Sequence, residues 1–283
     1  MRWADWQARW PLAAHSRFVE ARPYRWHVQQ LGAGPDLLLL HGAGAATHSW
    51  RHLAPRLAER FRCTLVDLPG HGFTPRVPGR SGLEHMAEDL TALMAALDLT
   101  PDALVGHSAG AAIALRLARD RPVPVVSING AFAMFEGVAG WLFPVMAKAL
   151  ALNPLTVPLF TASVTDARVR RLLEQTGSRI DAEGLRLYGA LMRDRDHVAG
   201  TLAKMASWRL ERLVRAAPGI DAPVLLLAGD RDGTVPPRVS RDMVARLPRA
   251  TLRIEPGLGH LMHEEAPDLT AGASIDFFGG VAA

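Results

Sequence analysis

The amino-acid sequence predicts an α/β protein in which a mostly parallel β-sheet is flanked by helices and interrupted once by a helical insertion. Three observations lead there. Short apolar runs that end near glycine alternate with segments whose apolar residues recur at three and four, the pattern of strands joined through helices. The runs carry little polar alternation, as strands covered on both faces do. From about residue 133 to 212 the strand rhythm stops and helical stretches follow one another.

In chain order, residues 37–40 run into His41-Gly42, 63–68 into Pro69-Gly70, 103–105 into Gly106, 125–128 into Asn129-Gly130 and 224–228 into Gly229-Asp230. A further run, 251–254, precedes Gly257-Leu258-Gly259-His260. Between them, 50–60, 83–97, 109–119 and 239–247 have helical spacing. The insertion holds the same spacing at 169–173, 185–192 and 198–208, so the expected organisation is a core of residues 1–132 and 213–283 with a helical lid over 133–212. Its first part, Trp141-Leu142-Phe143-Pro144-Val145-Met146 and residues 152–160, is more apolar than a solvated helix pair requires. Such residues either pack onto the core or roof a lipophilic pocket.

Composition excludes several classes of function. With 283 residues, 49% hydrophobic and 21% charged, the chain has the make-up of a globular protein with a substantial core. The single cysteine, Cys63, forbids an internal disulfide or a CxxC site and suits a reducing compartment. The pI of 9.9 rests on a net charge of only +4, with arginines scattered among Asp and Glu and only two lysines, Lys148 and Lys204. No basic tract for phosphates emerges, so nucleic acid is not an expected partner. Asp5, Arg9 and Trp3, Trp6 and Trp10 interrupt any secretory apolar run after Met1, and Lys148 with Pro144, Pro154 and Pro158 interrupts the most apolar region. A cytoplasmic protein without a transmembrane segment is expected. The three tryptophans, spaced at three and four, fit one helical face used in core packing, with a peripheral membrane contact as the alternative.

The chemistry centres on Gly106-His107-Ser108-Ala109-Gly110, which closes an apolar run and opens a helical one. A serine on so sharp a turn is held strained with its hydroxyl exposed, and glycines leave the room that the turn needs. The competing reading is that Ser108 only caps the helix. A serine nucleophile needs a base and the base an orienting carboxylate, and both follow in order. Asp232, deep in Gly229-Asp230-Arg231-Asp232-Gly233, is the candidate acid, and His260 is the candidate base. Asp230 is assigned to the turn itself, and Asn129, after the preceding strand, carries no charge. His263 is placed in the opening turn of the last helix beside Glu264 and Glu265, while His41 and His107 are read as hydrogen-bonding supports. Backbone N–H groups of Ala109 and of Ala43 in the turn His41-Gly42-Ala43-Gly44 are the candidate oxyanion hole, with Gly44 in reserve. No metal-binding motif is present, and neither a metal nor another cofactor is expected.

With these residues placed, the chain resembles the α/β-hydrolase superfamily over essentially its whole length. The resemblance is carried by His41-Gly42-Ala43-Gly44, Asp67-Leu68-Pro69-Gly70-His71-Gly72, residues 106–110 and the Asp232/His260 pair. It implies the α/β-hydrolase fold with a helical lid, and a fold shared by esterases, lipases and some proteins that hydrolyse nothing. Narrower stretches, among them Thr47-His48-Ser49-Trp50, Ala151-Leu152-Asn153-Pro154, Thr176-Gly177-Ser178-Arg179 and His197-Val198-Ala199-Gly200, resemble the α/β-hydrolases that accompany bacteriochlorophyll-synthesis genes and are described as magnesium-chelatase accessory proteins. That resemblance implies work near magnesium insertion, with a lipophilic ester or tetrapyrrole-like substrate and magnesium chelatase as a candidate partner. The expected activity is a serine esterase; the alternative is a porphyrin-binding or chelatase-contacting protein that catalyses nothing.

Overall fold

The computed structural model describes residues 1–133, 153 and 155–282. Eight strands form one sheet: β1 (Ser16–Ala21), β2 (Tyr24–Leu31), β3 (Asp36–Leu40), β4 (Arg62–Val66), β5 (Ala103–His107), β6 (Val125–Ile128), β7 (Val224–Gly229) and β8 (Ala250–Glu255). Their order is β1-β2-β4-β3-β5-β6-β7-β8. β2 pairs antiparallel with both β1 and β4, and all remaining neighbours are parallel.

The continuous apolar runs are explained by where alternate residues go. Leu38 and Leu40, Leu104, Val125, Val224 and Leu226 face one core cluster, whereas Leu37 and Leu39, Val105, Val126, Leu225 and Leu227 face another on the opposite side. Both faces are dry because helices cover both. The first cluster is sealed by α2 (Leu83–Ala96), α3 (Ala109–Asp120) and α9 (Pro237–Val244), the second by α1 (Leu53–Leu57) and the last helix, α11 (Pro267–Ala282). Each fully buried leucine contributes roughly 1.5–3 kcal/mol of transfer free energy, which is why polar alternation is absent here.

Between β6 and β7 lie α4 (Thr156–Ala162), α5 (Asp166–Glu174), α6 (Ala182–Arg193), α7 (Arg195–Ser207) and α8 (Glu211–Ala216); α10 (Met262–Glu265) is a single short turn before α11. Asp181 and Asp194 cap α6 and α7 by accepting from Gly184 N and His197 N. Val169, Leu173 and Tyr188 of these helices pack with Ala45 and Leu261 of the core. Leu155 and Leu159, from the apolar first part, are exposed instead. The Trp141–Met146 stretch and most of Ala151-Leu152-Asn153-Pro154 lie outside the described residues.

Several expectations need correction. The antiparallel β1–β2 pair was not read as strands, because the edge position lets Arg17, Glu20 and Arg25 point to solvent while His27 and Gln29 are buried and hydrogen-bonded. The expected helix at 50–60 is a 3-10 turn, Thr47–Trp50, followed by α1. His263 sits in α10 rather than in the last helix. It is buried, and its ring packs 4.4 Å from His107 and 4.9 Å from Trp50. The tryptophans share no regular helical face, since only Trp3–Asp5 forms a 3-10 turn. Trp10 is buried with Nε1–H donating to Thr47 Oγ1 at 3.1 Å, and Trp3 packs edge-on to Phe18 and Phe73. Among the described residues no helix is long and apolar enough to cross a membrane.

Candidate active site

Ser108, Asp232 and His260 each follow the carboxyl end of a parallel strand, β5, β7 and β8 respectively, and all three are buried. Ser108 occupies the turn between β5 and α3 at φ 52° and ψ −116°, in the region that L-residues avoid. Its side chain makes no capping hydrogen bond, so the capping account of this serine finds no support. The strain is held by close backbone approach. A Cβ on Gly106 would lie 2.5 Å from the Ala111 backbone, and one on Gly110 2.0 Å from the Leu40 carbonyl oxygen. Both flanking glycines are therefore required by the packing of α3 on β3 and β5.

His260 and Asp232 are brought together directly. His260 Nδ1–H donates to Asp232 Oδ2 at 2.7 Å, while Asp232 Oδ1 accepts from Thr234 N and Val235 N, each at 2.7 Å. The carboxylate is thus fixed by three donors, and the tautomer it selects leaves Nε2 of a neutral His260 with a free lone pair. Asp230 serves a different purpose, accepting from Gly257 N at 2.7 Å and tying the two loops together.

Ser108 is tied to this pair through its neighbour. His107 Nε2–H donates to the His260 carbonyl at 2.9 Å, and the two imidazoles lie 4.7 Å apart. Burial, then the charges of His263 and His260, push His107 well below the usual histidine range, so it is a neutral donor. Asn129, set aside in the sequence for want of a charge, completes the brace: Nδ2 donates to the carbonyls of Gly259 at 3.0 Å and His260 at 2.8 Å, and Oδ1 accepts from Gly229 N at 2.8 Å.

The candidate oxyanion donors sit on either side of Ser108. Ala109 is the first residue of α3, whose N–H has no intrahelical acceptor and lies at the positive end of the helix dipole. Ala43 is half-buried in the turn closed by the Ala45 N to Gly42 O bond, at 3.2 Å. A Cβ on Gly42 would come within 3.1 Å of Ser108 Cβ. His41 supports this turn: Leu68 N donates to its Nε2 at 3.0 Å, and its Nδ1–H donates to Gly42 O at 2.7 Å. Burial and the nearby Lys204 charge push His41 down to about 3, so the ring keeps that neutral tautomer.

Segments between β6 and β7, both the turn after α5 and the helix α7, grip the same loops. The Thr176 carbonyl accepts from both Gly233 N and His260 N, at 3.1 and 3.2 Å, and Leu261 N donates to Ser178 Oγ at 2.8 Å. Gly72 N donates to His197 Nδ1, leaving His197 Nε2–H to donate to Gly44 O at 3.1 Å. Gly200 lies so close to Gly70 that a Cβ would meet its carbonyl oxygen at 2.0 Å. These residues belong to stretches that carried the narrower resemblance without an evident catalytic need. Among the described residues no three or more His, Cys, Asp or Glu side chains converge as metal ligands.

A sequence model of the alpha/beta hydrolase family matches residues 37–273. Among curated relatives, the chain is 48% identical over 278 residues to a Rhodobacter capsulatus protein named magnesium-chelatase 30 kDa subunit, covering 96% of this chain and 98% of that one. It is 29% identical to the pimeloyl-[acyl-carrier protein] methyl ester esterase of Nitrosomonas europaea, covering 83% of this chain and 92% of the relative. A solved esterase from Exiguobacterium antarcticum superposes with a TM-score of 0.77 at 19% identity, over 93% of this chain and 98% of the other, which speaks to fold alone.

Proposed function

The chain belongs to the alpha/beta hydrolase family, and on that premise we propose that it is a serine hydrolase of lipophilic carboxylic esters, working in the cytoplasm at or near the magnesium-chelation step of bacteriochlorophyll synthesis. The single observation that carries the reading is the His260–Asp232 pair, oriented with a free Nε2 and braced against the strained Ser108 turn. In this reading His260 Nε2 takes the Ser108 proton as Oγ attacks the ester carbonyl carbon. The N–H groups of Ala43 and Ala109 stabilise the resulting oxyanion. His260 then returns the proton to the departing alkoxide, and a water activated by the same ring releases the acid. Residues 133–212 serve as the lid over the acyl-binding region.

The place in pigment synthesis is supported by the 48% identical relative, whose name refers to magnesium chelatase. The same relative favours a second reading, in which the protein binds a porphyrin or contacts the chelatase and the triad is dispensable. The two separate cleanly. A graded series of p-nitrophenyl esters is hydrolysed by the wild type and not by Ser108→Ala if the first holds, and a Ser108→Ala strain that keeps protein level but loses pigment places the chemistry in the pathway. Normal pigment in that strain supports the second.

A further inference from the structure

One face of α7 carries polar residues inward. His197, Gly200, Thr201 and Lys204, spaced as one stripe, turn towards the Ser108 side of the core rather than to solvent. His197 holds Gly44 O, Gly200 abuts Gly70, and Thr201 Cγ2 lies 3.7 Å from where a Gly44 Cβ would be. Thr201 Oγ1 is also 3.4 Å from His71 Nε2. Lys204 extends the stripe by one turn. It is 1% exposed, and among the described residues its Nζ has no hydrogen-bond partner.

A buried ammonium is tolerated where an anion answers it. Among the described residues, none of the charged or titratable groups that act on Lys204 or lie beside its histidine neighbours does so. His41 and His71 are imidazoles kept uncharged by burial, with the Lys204 charge itself the next cause. His197 is likewise pushed down, to about 4, by burial. Asp67 is consumed by His27 Nδ1–H, Thr47 N and Phe73 N, at 2.8, 2.7 and 2.9 Å. The Trp208 ring, 5.8 Å away, offers only a weak face. A position that served packing alone would be filled by leucine or methionine. Resting on the serine hydrolase reading, we propose that Lys204 receives a carboxylate of the substrate, so that the ester cleaved at Ser108 carries a second, unesterified acid group. A single monovalent cation matches one carboxylate better than a phosphate, which recruits several donors.

The test compares p-nitrophenyl octanoate with the p-nitrophenyl monoester of suberic acid, equal in chain length but ending in a carboxylate. Wild-type protein is expected to favour the acidic ester by roughly tenfold to a hundredfold in kcat/KM. Lys204→Met is expected to lose that preference, its kcat/KM for the acidic ester falling to about that for the octanoate. No preference in the wild type, or an undiminished one in Lys204→Met, overturns the proposal. A second measurement does not depend on turnover. With only two lysines in the chain, protein labelled with carbon-13 at lysine Cε gives a two-signal spectrum in which Lys204→Met assigns the Lys204 signal. Burial alone holds Lys204 at about 7, so an added monomethyl suberate carboxylate should raise its titration midpoint, whereas methyl octanoate should not. An unmoved midpoint at saturating monomethyl suberate overturns the proposal. If neither nitrophenyl ester is hydrolysed, the hydrolase reading fails, and the lysine titration still decides the carboxylate site.

Discussion

Replacing Asn129 by alanine removes a brace that no catalytic step uses directly, so its effect isolates the value of positioning. Three hydrogen bonds disappear, to Gly259 O, His260 O and Gly229 N, at a side chain that is 1% exposed. At about 1 kcal/mol each, the loss is about 3 kcal/mol. For a chain of this size that lowers Tm by roughly 6–12 °C. His260 O keeps its bond from His107, so the fold survives while the histidine loop loosens. A misplacement of the order of 1 Å costs up to about a hundredfold in rate, and the labelling of Ser108 by a fluorophosphonate should slow by about tenfold to a hundredfold. Asn129→Asp should be worse than Asn129→Ala in Tm, because it sets a carboxylate against two carbonyl oxygens. Thermal unfolding and labelling kinetics on the three proteins are the assays. An Asn129→Ala protein within about 2 °C of wild-type Tm that labels at the wild-type rate would refute the bracing role.

Two further outcomes follow from burial and backbone approach. Gly110→Ala places a Cβ 2.0 Å from the Leu40 carbonyl oxygen and should cost more than about 3 kcal/mol, whereas Gly272→Ala in α11 meets open space and should stay within about 1 kcal/mol of wild type or gain slightly, as denaturant titration will report. Burial holds His41, His48, His71, His107, His197 and His263 below the usual 6.5, with His41 and His263 near 3 and His197 near 4. In the unfolded chain these rings take up protons below about 6.5 and in the folded chain they do not, so stability is present above that pH and is lost as pH falls. At about 1.4 kcal/mol per pH unit for each ring, a stability of about 10 kcal/mol is exhausted within roughly two pH units. Equal Tm values at pH 7 and pH 5 would contradict this.

What was legible in the sequence was local. The run into Gly106-His107-Ser108-Ala109-Gly110 carries strand, turn and helix within a few residues, and the structure places that turn where the sequence does. Five of the apolar runs identify the inner parallel strands β3 to β7 because burial on both faces leaves an unbroken apolar record, whereas the edge strand β8 alternates, with Thr251 and Arg253 exposed. β1 and β2 leave no such record, since Arg17, Glu20 and Arg25 face water while the buried His27 bonds to Asp67 and Ser16 and the buried Gln29 donates through Nε2 to Pro11 O and Ser16 Oγ. Long-range hydrogen bonds are equally silent. Nothing near Asn129 announces that its amide meets residues 259 and 260, or that Thr176 O serves both candidate catalytic loops. Lys204 was invisible for another reason: a lysine on an amphipathic helix reads as part of the wet face, and only packing against Gly70 and Gly44 turns that face inward.

The proposed hydrolase stands on the chemical activation of Ser108 by His260 and Asp232. Its most direct test is stoichiometric labelling with a fluorophosphonate probe followed by mass spectrometry of the digested protein. One adduct per chain is expected, on Ser108, absent in Ser108→Ala and formed at least about a hundredfold more slowly in folded His260→Ala. A folded wild-type protein that takes no label at Ser108 would contradict it.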